Sequence, residues 1–199
     1  QTDGAFDITV SPLLQLWRDC STEKRLPTEE EIAQARAKMG PTRIRLDVEA
    51  RTVGLPEGMH LDLGGLGKGF IADEVEAALR TRGVSRALIA IAGDIRAMGV
   101  RADSEPWRVG VQDPRESENP HALITTLQAS NCSVSTSGNY QRYVEIGGRR
   151  YSHIVDPRTG LTAENVPSVT VIGPDTVTTD VLGTALSVIG VEDGLKLVE

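Results

Sequence analysis

Leu61-Asp62-Leu63-Gly64-Gly65-Leu66-Gly67-Lys68-Gly69-Phe70 sets four glycines within six residues, between two apolar segments. Met59 to Leu63, just before the glycines, predicts a short strand. Ile71 to Arg80, just after them, has apolar residues at 71, 75, 78 and 79. That is helical spacing with one face turned inward, and Gly83 stops the helix. The glycines therefore lie where a strand turns into a helix N-terminus. There the backbone can approach a ligand closely, and free N–H groups favour an anion such as phosphate. Lys68 adds a point charge, and the Asp62 carboxylate enters the same spot, suited to a sugar, a base edge or a metal. A P-loop would need glycine at 62 and Ser or Thr at 69, and the chain has Asp62 and Gly69. A dinucleotide fingerprint would need glycine at 70, which is Phe70. The plain alternative is a tight structural turn, which has little use for a lysine and an aspartate among its glycines.

Outward from this loop, the chain is long enough for one large domain or two small ones, at 199 residues. A formal charge of −7 and few aromatic residues argue against a nucleic-acid footprint. No apolar run approaches the roughly 20 residues of a membrane span. Cys20 and Cys132 do not make a disulfide framework; they could pair or both be reduced. The chain starts at Gln1 and ends inside a predicted helix, 195–199. We expect a single domain over 1–199, a fragment lacking segments at both ends.

Upstream, Gly4 to Val10 is a site-lining segment or an entry loop. Ser11-Pro12 opens a short helix, Leu13 to Trp17, and residues 18–27 read as loop. Thr28 and Glu31 form a capping box for a helix to Met39, closed by Gly40-Pro41. Arg43 to Val48 alternates as a strand, and a turn leads on to the strand entering the glycine loop.

Downstream, Arg86 to Ala92 suits a buried strand that ends in Gly93-Asp94-Ile95-Arg96. Asp94 is a site candidate there, or else the ion-pair partner of Arg96 or a turn cap. Trp107–Gln112, Ala122–Leu127 and Cys132–Ser135 are strands. The last runs into Ser135-Thr136-Ser137-Gly138, whose hydroxyls bind phosphate or cap a turn. Tyr140–Ile146 and Arg149–Ile154 make a hairpin about Gly147-Gly148, and the second strand carries His153. Ser168–Ile172 is a strand.

The helix from Asp175 to Ile189 has two stripes. Val177, Val181, Ala185 and Ile189 are apolar; Thr176, Asp180, Gly183, Thr184 and Ser187 are small or rich in oxygen. Asp180 and Thr184, one turn apart, suit a hard cation such as Mg²⁺, on a face we expect to be partly exposed. No Cys/His set has zinc spacing. The mixed order of strands and helices predicts an α+β fold, a mixed or antiparallel sheet core with flanking helices.

Together the motifs resemble the ApbE family of FAD:protein FMN transferases. They are Gly4-Ala5-Phe6-Asp7 with Pro12 and Trp17; Asp62 to Gly69; Gly93-Asp94-Ile95-Arg96; Trp107-Arg108-Val109-Gly110-Val111; Ser137-Gly138-Asn139-Tyr140; Tyr151 to Gly160; and Thr179 to Leu186. The resemblance implies a duplicated α+β core and two cofactors, Mg²⁺ and, as substrate, FAD. It implies transfer of FMN from FAD to a threonine of an acceptor protein, with release of AMP. Two alternatives stand beside it: a FAD pyrophosphatase yielding FMN and AMP, and a flavin-binding protein without catalysis. The resemblance also implies a bacterial periplasmic or cell-envelope setting, with the cytoplasm as the alternative.

By the same resemblance, Ala5, Phe6, Asp7 and Asp62 contact the flavin nucleotide. The Gly65 carbonyl, Asp180 and Thr184 hold the metal, and Lys68 and His153 lie near the pyrophosphate. Gly64, Gly67, Asp94 and Thr136 complete the expected cofactor set; Lys68, His153 and Asp180 are the expected catalytic groups. Asp180 and His153 both stand as general-base candidates. The chain has Gly67 where the family usually has alanine before the lysine, and Val181 and Gly183 at the two alanines of its D-A-L-A-T signature.

Overall fold

The computed structural model describes residues 2–119, 121–140 and 142–198. Its contacts divide the chain into two compact units, Gln1–Leu63 with Arg142–Glu164, and Gly64–Gln141 with Asn165–Glu199. Among the described residues no helix is long and apolar enough to cross a membrane.

The first unit is built on helices α1 (Ser11–Thr22) and α2 (Glu29–Ala37) and three-residue strands β1 (Arg45–Asp47) and β2 (Thr52–Gly54). It also holds a 3-10 turn, Pro41–Arg43, and the β8 (Tyr143–Ile146)–β9 (Arg149–Ser152) hairpin. α1 runs past Trp17, where the sequence predicts loop. Its charged residues lie on the outer side while Cys20 is buried, and Gln15 donates to Asp19 one turn on. The capping box of α2 forms as read: Glu31 N–H donates to Thr28 Oγ1 and Thr28 N–H to Glu31 Oε2. Leu13, Trp17, Ala35, Met39, Ile146 and Val155 make the core, and Trp17 Nε1–H donates to the Gly160 carbonyl. Gly147 and Gly148 take positive φ, as a two-residue hairpin turn requires.

Residues 59–63 do not form the predicted strand. Asp62 N–H donates to the Ile8 carbonyl. The stretch belongs to no sheet, so a loop, not a strand, leads into the glycines.

The second unit centres on an antiparallel sheet in the order β10 (Ser168–Gly173), β7 (Cys132–Gly138), β4 (Asp94–Met98), β3 (Ala87–Ile91). Its two faces differ in chemistry. Ile95, Ala97, Cys132 and Val134 share one face, because strand residues alternate and Ile95 pairs with Val134 and Ala97 with Cys132. That face packs under the hairpin of β5 (Trp107–Gln112) and β6 (Leu123–Ala129), burying Val109 and Ala129. The opposite face carries Asp94, Arg96, Ser133 and Ser135, and α3 (Gly67–Thr81) and α4 (Thr176–Ile189) pack near it. α5 (Val191–Val198) follows α4.

Three further expectations are corrected in this unit. β3 is an edge strand with alternating exposure, not a buried one. Ser135 to Gly138 lie within β7, because β10 extends the pairing to Gly138. α3 turns the reverse of its apolar stripe inward. Gly69, Ala72 and Glu76 are buried, while Ile71 and Val75 are exposed. The reason is close approach to α4: a Cβ on Gly69 would overlap the carbonyl of Thr176 and come within 2.8 Å of Val177 Cα. Cys20 and Cys132 are both free thiols.

Candidate active site

The polar face of the sheet and the two helices over it place three charged side chains together. Lys68, in the first turn of α3, sets its Nζ 2.8 Å from Asp180 Oδ1 on α4, 3.0 Å from Asp94 Oδ2 at the start of β4, and 3.3 Å from the Gly64 carbonyl. Asp180 Oδ2 accepts the Gly69 N–H at 3.2 Å. Asp94 and Asp180 are buried, at 1% and 2% exposure, so the expectation of a partly exposed Asp180 is corrected. The polar stripe of α4 faces inward: Thr176, Thr179, Asp180, Gly183 and Ser187 are all buried, and of the apolar stripe Ala185 is buried with them.

Hydroxyl pairs make that burial tolerable, since a buried polar group without a partner is costly. Ser133 pairs with Thr176 at 2.8 Å and Ser135 with Thr179 at 2.7 Å, joining β7 to α4. The Ala92-Gly93 turn, with both residues at positive φ, closes the β3–β4 hairpin and delivers Asp94.

Electrostatics follow from this crowding. Burial raises the Asp94 carboxyl above the usual range and repulsion from Asp180 adds to it, against the pull of Lys68 and Ser135. Burial works against the Lys68 ammonium, but the hydrogen bond to Asp180 and the close approach of the Asp94 carboxylate outweigh it and hold its pKa above the usual lysine value. Oδ2 of Asp94 is buried and accepts no well-aligned hydrogen bond, standing only in ion-pair contact with Lys68. Two carboxylates thus share one ammonium.

Arg96 does not pair with Asp94. Its guanidinium lies between the Glu76 carboxylate and the Pro174 carbonyl, with Ser133 alongside. Glu76 also takes Arg80. Burial pushes the Glu76 carboxyl up, and the two arginines overcome it and hold the pKa below the usual value. Asp73 caps α4 from α3, accepting N–H groups of Thr176 and Val177 at 2.9–3.0 Å. Asp175 takes Thr178 N–H, so the α4 N-terminus is saturated by carboxylates and offers no anion seat. Asp73 and Glu76 were not singled out by sequence reasoning; Ser135 was read only within its hydroxyl run, and Thr179 only within the family motif. Only the mismatch of acids on the inner side of α3 would have marked the first two.

The other expected residues are placed as follows. Gly64 and Gly65 lie in the turn before α3, and Gly67 is its first residue. Thr184 lies one turn beyond Asp180 and is half-buried. Thr136 faces away from Ser135 along β7, and its hydroxyl bonds that of Thr170 at 3.0 Å. Ala5, Phe6, Asp7, Asp62 and His153 belong to the first unit. Ala5 is buried; Asp7 accepts both the N–H and the hydroxyl of Thr9 at 2.7 Å, closing a local turn. His153 is exposed, and its Nδ1–H donates to the Arg142 carbonyl at 2.9 Å.

The ApbE family model matches residues 1–199. The FAD:protein FMN transferase of Escherichia coli K12 is 34% identical over 204 residues, and that of Salmonella typhimurium 36% over 205; each alignment covers 100% of this chain. The chain spans 58% of the length of those two relatives. Among solved structures, the ApbE protein of Thermotoga maritima superposes with a TM-score of 0.87 at 38% identity, covering 99% of this chain and 63% of that one. The Pseudomonas stutzeri flavinyl transferase ApbE, apo form, superposes with a TM-score of 0.83 at 37% identity, covering 100% and 61%.

Proposed function

The chain belongs to the ApbE family, and from that membership we propose that it is the catalytic part of an FAD:protein FMN transferase. In this reading it moves FMN from FAD to a threonine side chain of an acceptor protein and releases AMP. The observation that carries the reading is the Lys68, Asp94 and Asp180 cluster beside the glycine turn.

The donor set fits a hard divalent cation. Asp94 and Asp180 outnumber the one ammonium between them, and a buried carboxylate oxygen has no aligned donor. Among the described residues no cluster of three His, Cys, Asp or Glu has a metal-holding arrangement. The proposed set asks for only one such side chain: Asp180, with the Thr184 hydroxyl and the Gly65 carbonyl, would hold Mg²⁺. Bound there, the ion supplies positive charge that neutralises and orients the pyrophosphate.

The chain's own groups do the rest. The N–H groups of the glycine turn, Gly69 apart because it donates to Asp180, would donate to the phosphate oxygens, and Lys68 would stabilise charge that grows on them during displacement. The acceptor threonine hydroxyl attacks the phosphorus on the FMN side. A new P–O–C linkage forms, the P–O bond to AMP breaks, and the hydroxyl proton goes to a base. Asp180 already accepts hydrogen bonds from Lys68 and Gly69 and is the side chain proposed to hold the metal. His153, whose Nδ1–H donates to the Arg142 carbonyl, is the other base candidate that the family resemblance offers.

Mass spectrometry of a threonine-containing acceptor, after incubation with the protein, FAD and Mg²⁺, tests the reading. An FMN adduct on threonine is expected. Free FMN and AMP over many turnovers, without adduct, would replace it with the pyrophosphatase reading.

A further inference from the structure

Three oxygens from three separate segments converge on one nitrogen: the Gly64 carbonyl, Asp94 Oδ2 and Asp180 Oδ1 surround Lys68 Nζ at 3.3, 3.0 and 2.8 Å. The two carboxylates are almost wholly shielded from water, whereas the lysine side chain keeps 32% of its surface exposed. The arrangement is a cation seat filled by a cation on a flexible stem. We infer that Lys68 is a tethered placeholder: it neutralises Asp94 and Asp180 until a divalent cation takes Asp180, and its release hands the ammonium to the substrate phosphates.

Charge decides this. With Lys68 in place, the two buried carboxylates carry one uncompensated negative charge, which draws a second cation. Mg²⁺ binds oxygen at about 2.0–2.1 Å, nearer than the ammonium stands. An ammonium hydrogen-bonded to Asp180 Oδ1 would then be pressed against the ion, so the two cannot share that oxygen. The lysine stem has four carbons and an open side, and can swing outward without unfolding α3. Asp94 gains a role of its own. Its unaligned Oδ2 makes the seat over-acidic, so that exchange of one charge for two is favourable. The inference rests on the transferase reading only for what the released ammonium meets; the exchange itself is a property of these residues.

The test uses Mg²⁺ alone, without FAD, in titration calorimetry and thermal unfolding of the full chain. Lys68→Met should lower the melting temperature without metal and tighten Mg²⁺ binding by about tenfold, the scale of coupling between adjacent charged sites. Lys68→Arg should bind as the parent does. Asp94→Asn should weaken Mg²⁺ binding by about tenfold. Unchanged or weaker binding in Lys68→Met overturns the inference. If that variant does not fold without metal, nitrogen-detected NMR of the parent's lysine ammonium groups decides. A protected signal, absent in Lys68→Arg, should vanish on adding Mg²⁺, and its persistence at saturation overturns the proposal. Threonine adduct formation by the parent, measured beside these, separates the two readings. Adduct with unchanged binding in Lys68→Met sinks the placeholder alone; tighter binding without adduct sinks the transferase alone.

Discussion

Glu76 on α3 and Arg96 on β4 form a buried ion pair that fastens the helix to the polar face of the sheet. Arg96 also holds the Pro174 carbonyl, just before α4 begins, so one guanidinium ties together three elements that carry the site. Breaking such a pair from one side leaves a buried charge without a partner. Glu76→Gln should therefore cost about 3 kcal/mol in urea unfolding. Arg80→Gln, which removes the exposed partner of the same carboxylate, should cost under about 1 kcal/mol.

The same pair predicts an acid limb. The native Glu76 carboxyl is held below its ordinary value by Arg96 and Arg80, against burial. Its contribution is thus fully present above the unfolded value of about 4.3, and fades as pH falls from there through the depressed native value. The parent should lose stability on acidification below that point more steeply than Glu76→Gln. Parallel curves from unfolding titrations at pH 3 to 6 would refute this.

Asp73 makes a similar claim on α4. It accepts two N–H groups at the helix start from a neighbouring helix, where a local cap satisfies only Thr178. Asp73→Ala should cost about 1–2 kcal/mol, and Asp73→Asn less, since the amide still accepts. Because α4 carries Asp180 and Thr184, the proposed magnesium ligands, Asp73→Ala should also weaken Mg²⁺ affinity, measured by calorimetry, while Asp73→Asn recovers most of it.

How much of this the sequence discloses depends on whether the cause is local. The capping box of Thr28 and Glu31 needs residues three apart, and the hairpin needs only Gly147-Gly148; both are legible. Periodicity likewise separates the two stripes of α4. It does not say which stripe faces the sheet, because that depends on Ser133 and Ser135, more than forty residues away, pairing with Thr176 and Thr179. α3 fails in the same way: its apolar stripe promises burial, yet the close contact at Gly69 and the needs of Arg96 turn Glu76 inward. In the site, Lys68, Asp94 and Asp180 are each visible as candidates, but their union across 112 positions is a tertiary fact. Only the family resemblance groups them into one expected site.

Asp180 is buried and accepts from Lys68 and from the Gly69 backbone, so removing it is not a surface change. Asp180→Ala should abolish the proposed Mg²⁺-dependent activity and also cost about 2 kcal/mol, the penalty for stranding buried donors. Asp180→Asn keeps an acceptor for Gly69 and should recover part of the stability without recovering Mg²⁺ affinity. Equal losses of stability in both variants would argue against the Gly69 hydrogen bond.

The two helix glycines near the site should respond in opposite ways to a single methyl group. At Gly183 the added Cβ would lie 2.8 Å from Ser137 Oγ, the movable end of a small side chain. Rotation of that hydroxyl relieves the contact, and alanine gains about 1 kcal/mol of helix propensity over glycine. Gly183→Ala should be neutral or mildly stabilising. At Gly69 the added Cβ meets backbone, the Thr176 carbonyl and Val177 Cα, which cannot rotate away. α3 must then move off α4, and overpacking of this kind costs about 1–3 kcal/mol, more than the propensity gain. The same movement draws Lys68 and the Gly69 N–H from Asp180. Gly69→Ala should therefore lose both stability and Mg²⁺ affinity, while Gly183→Ala keeps both. Paired denaturation and calorimetry on the two variants measure this directly, and a Gly69→Ala protein as stable as its parent would show that the two helices are not in close contact at that residue.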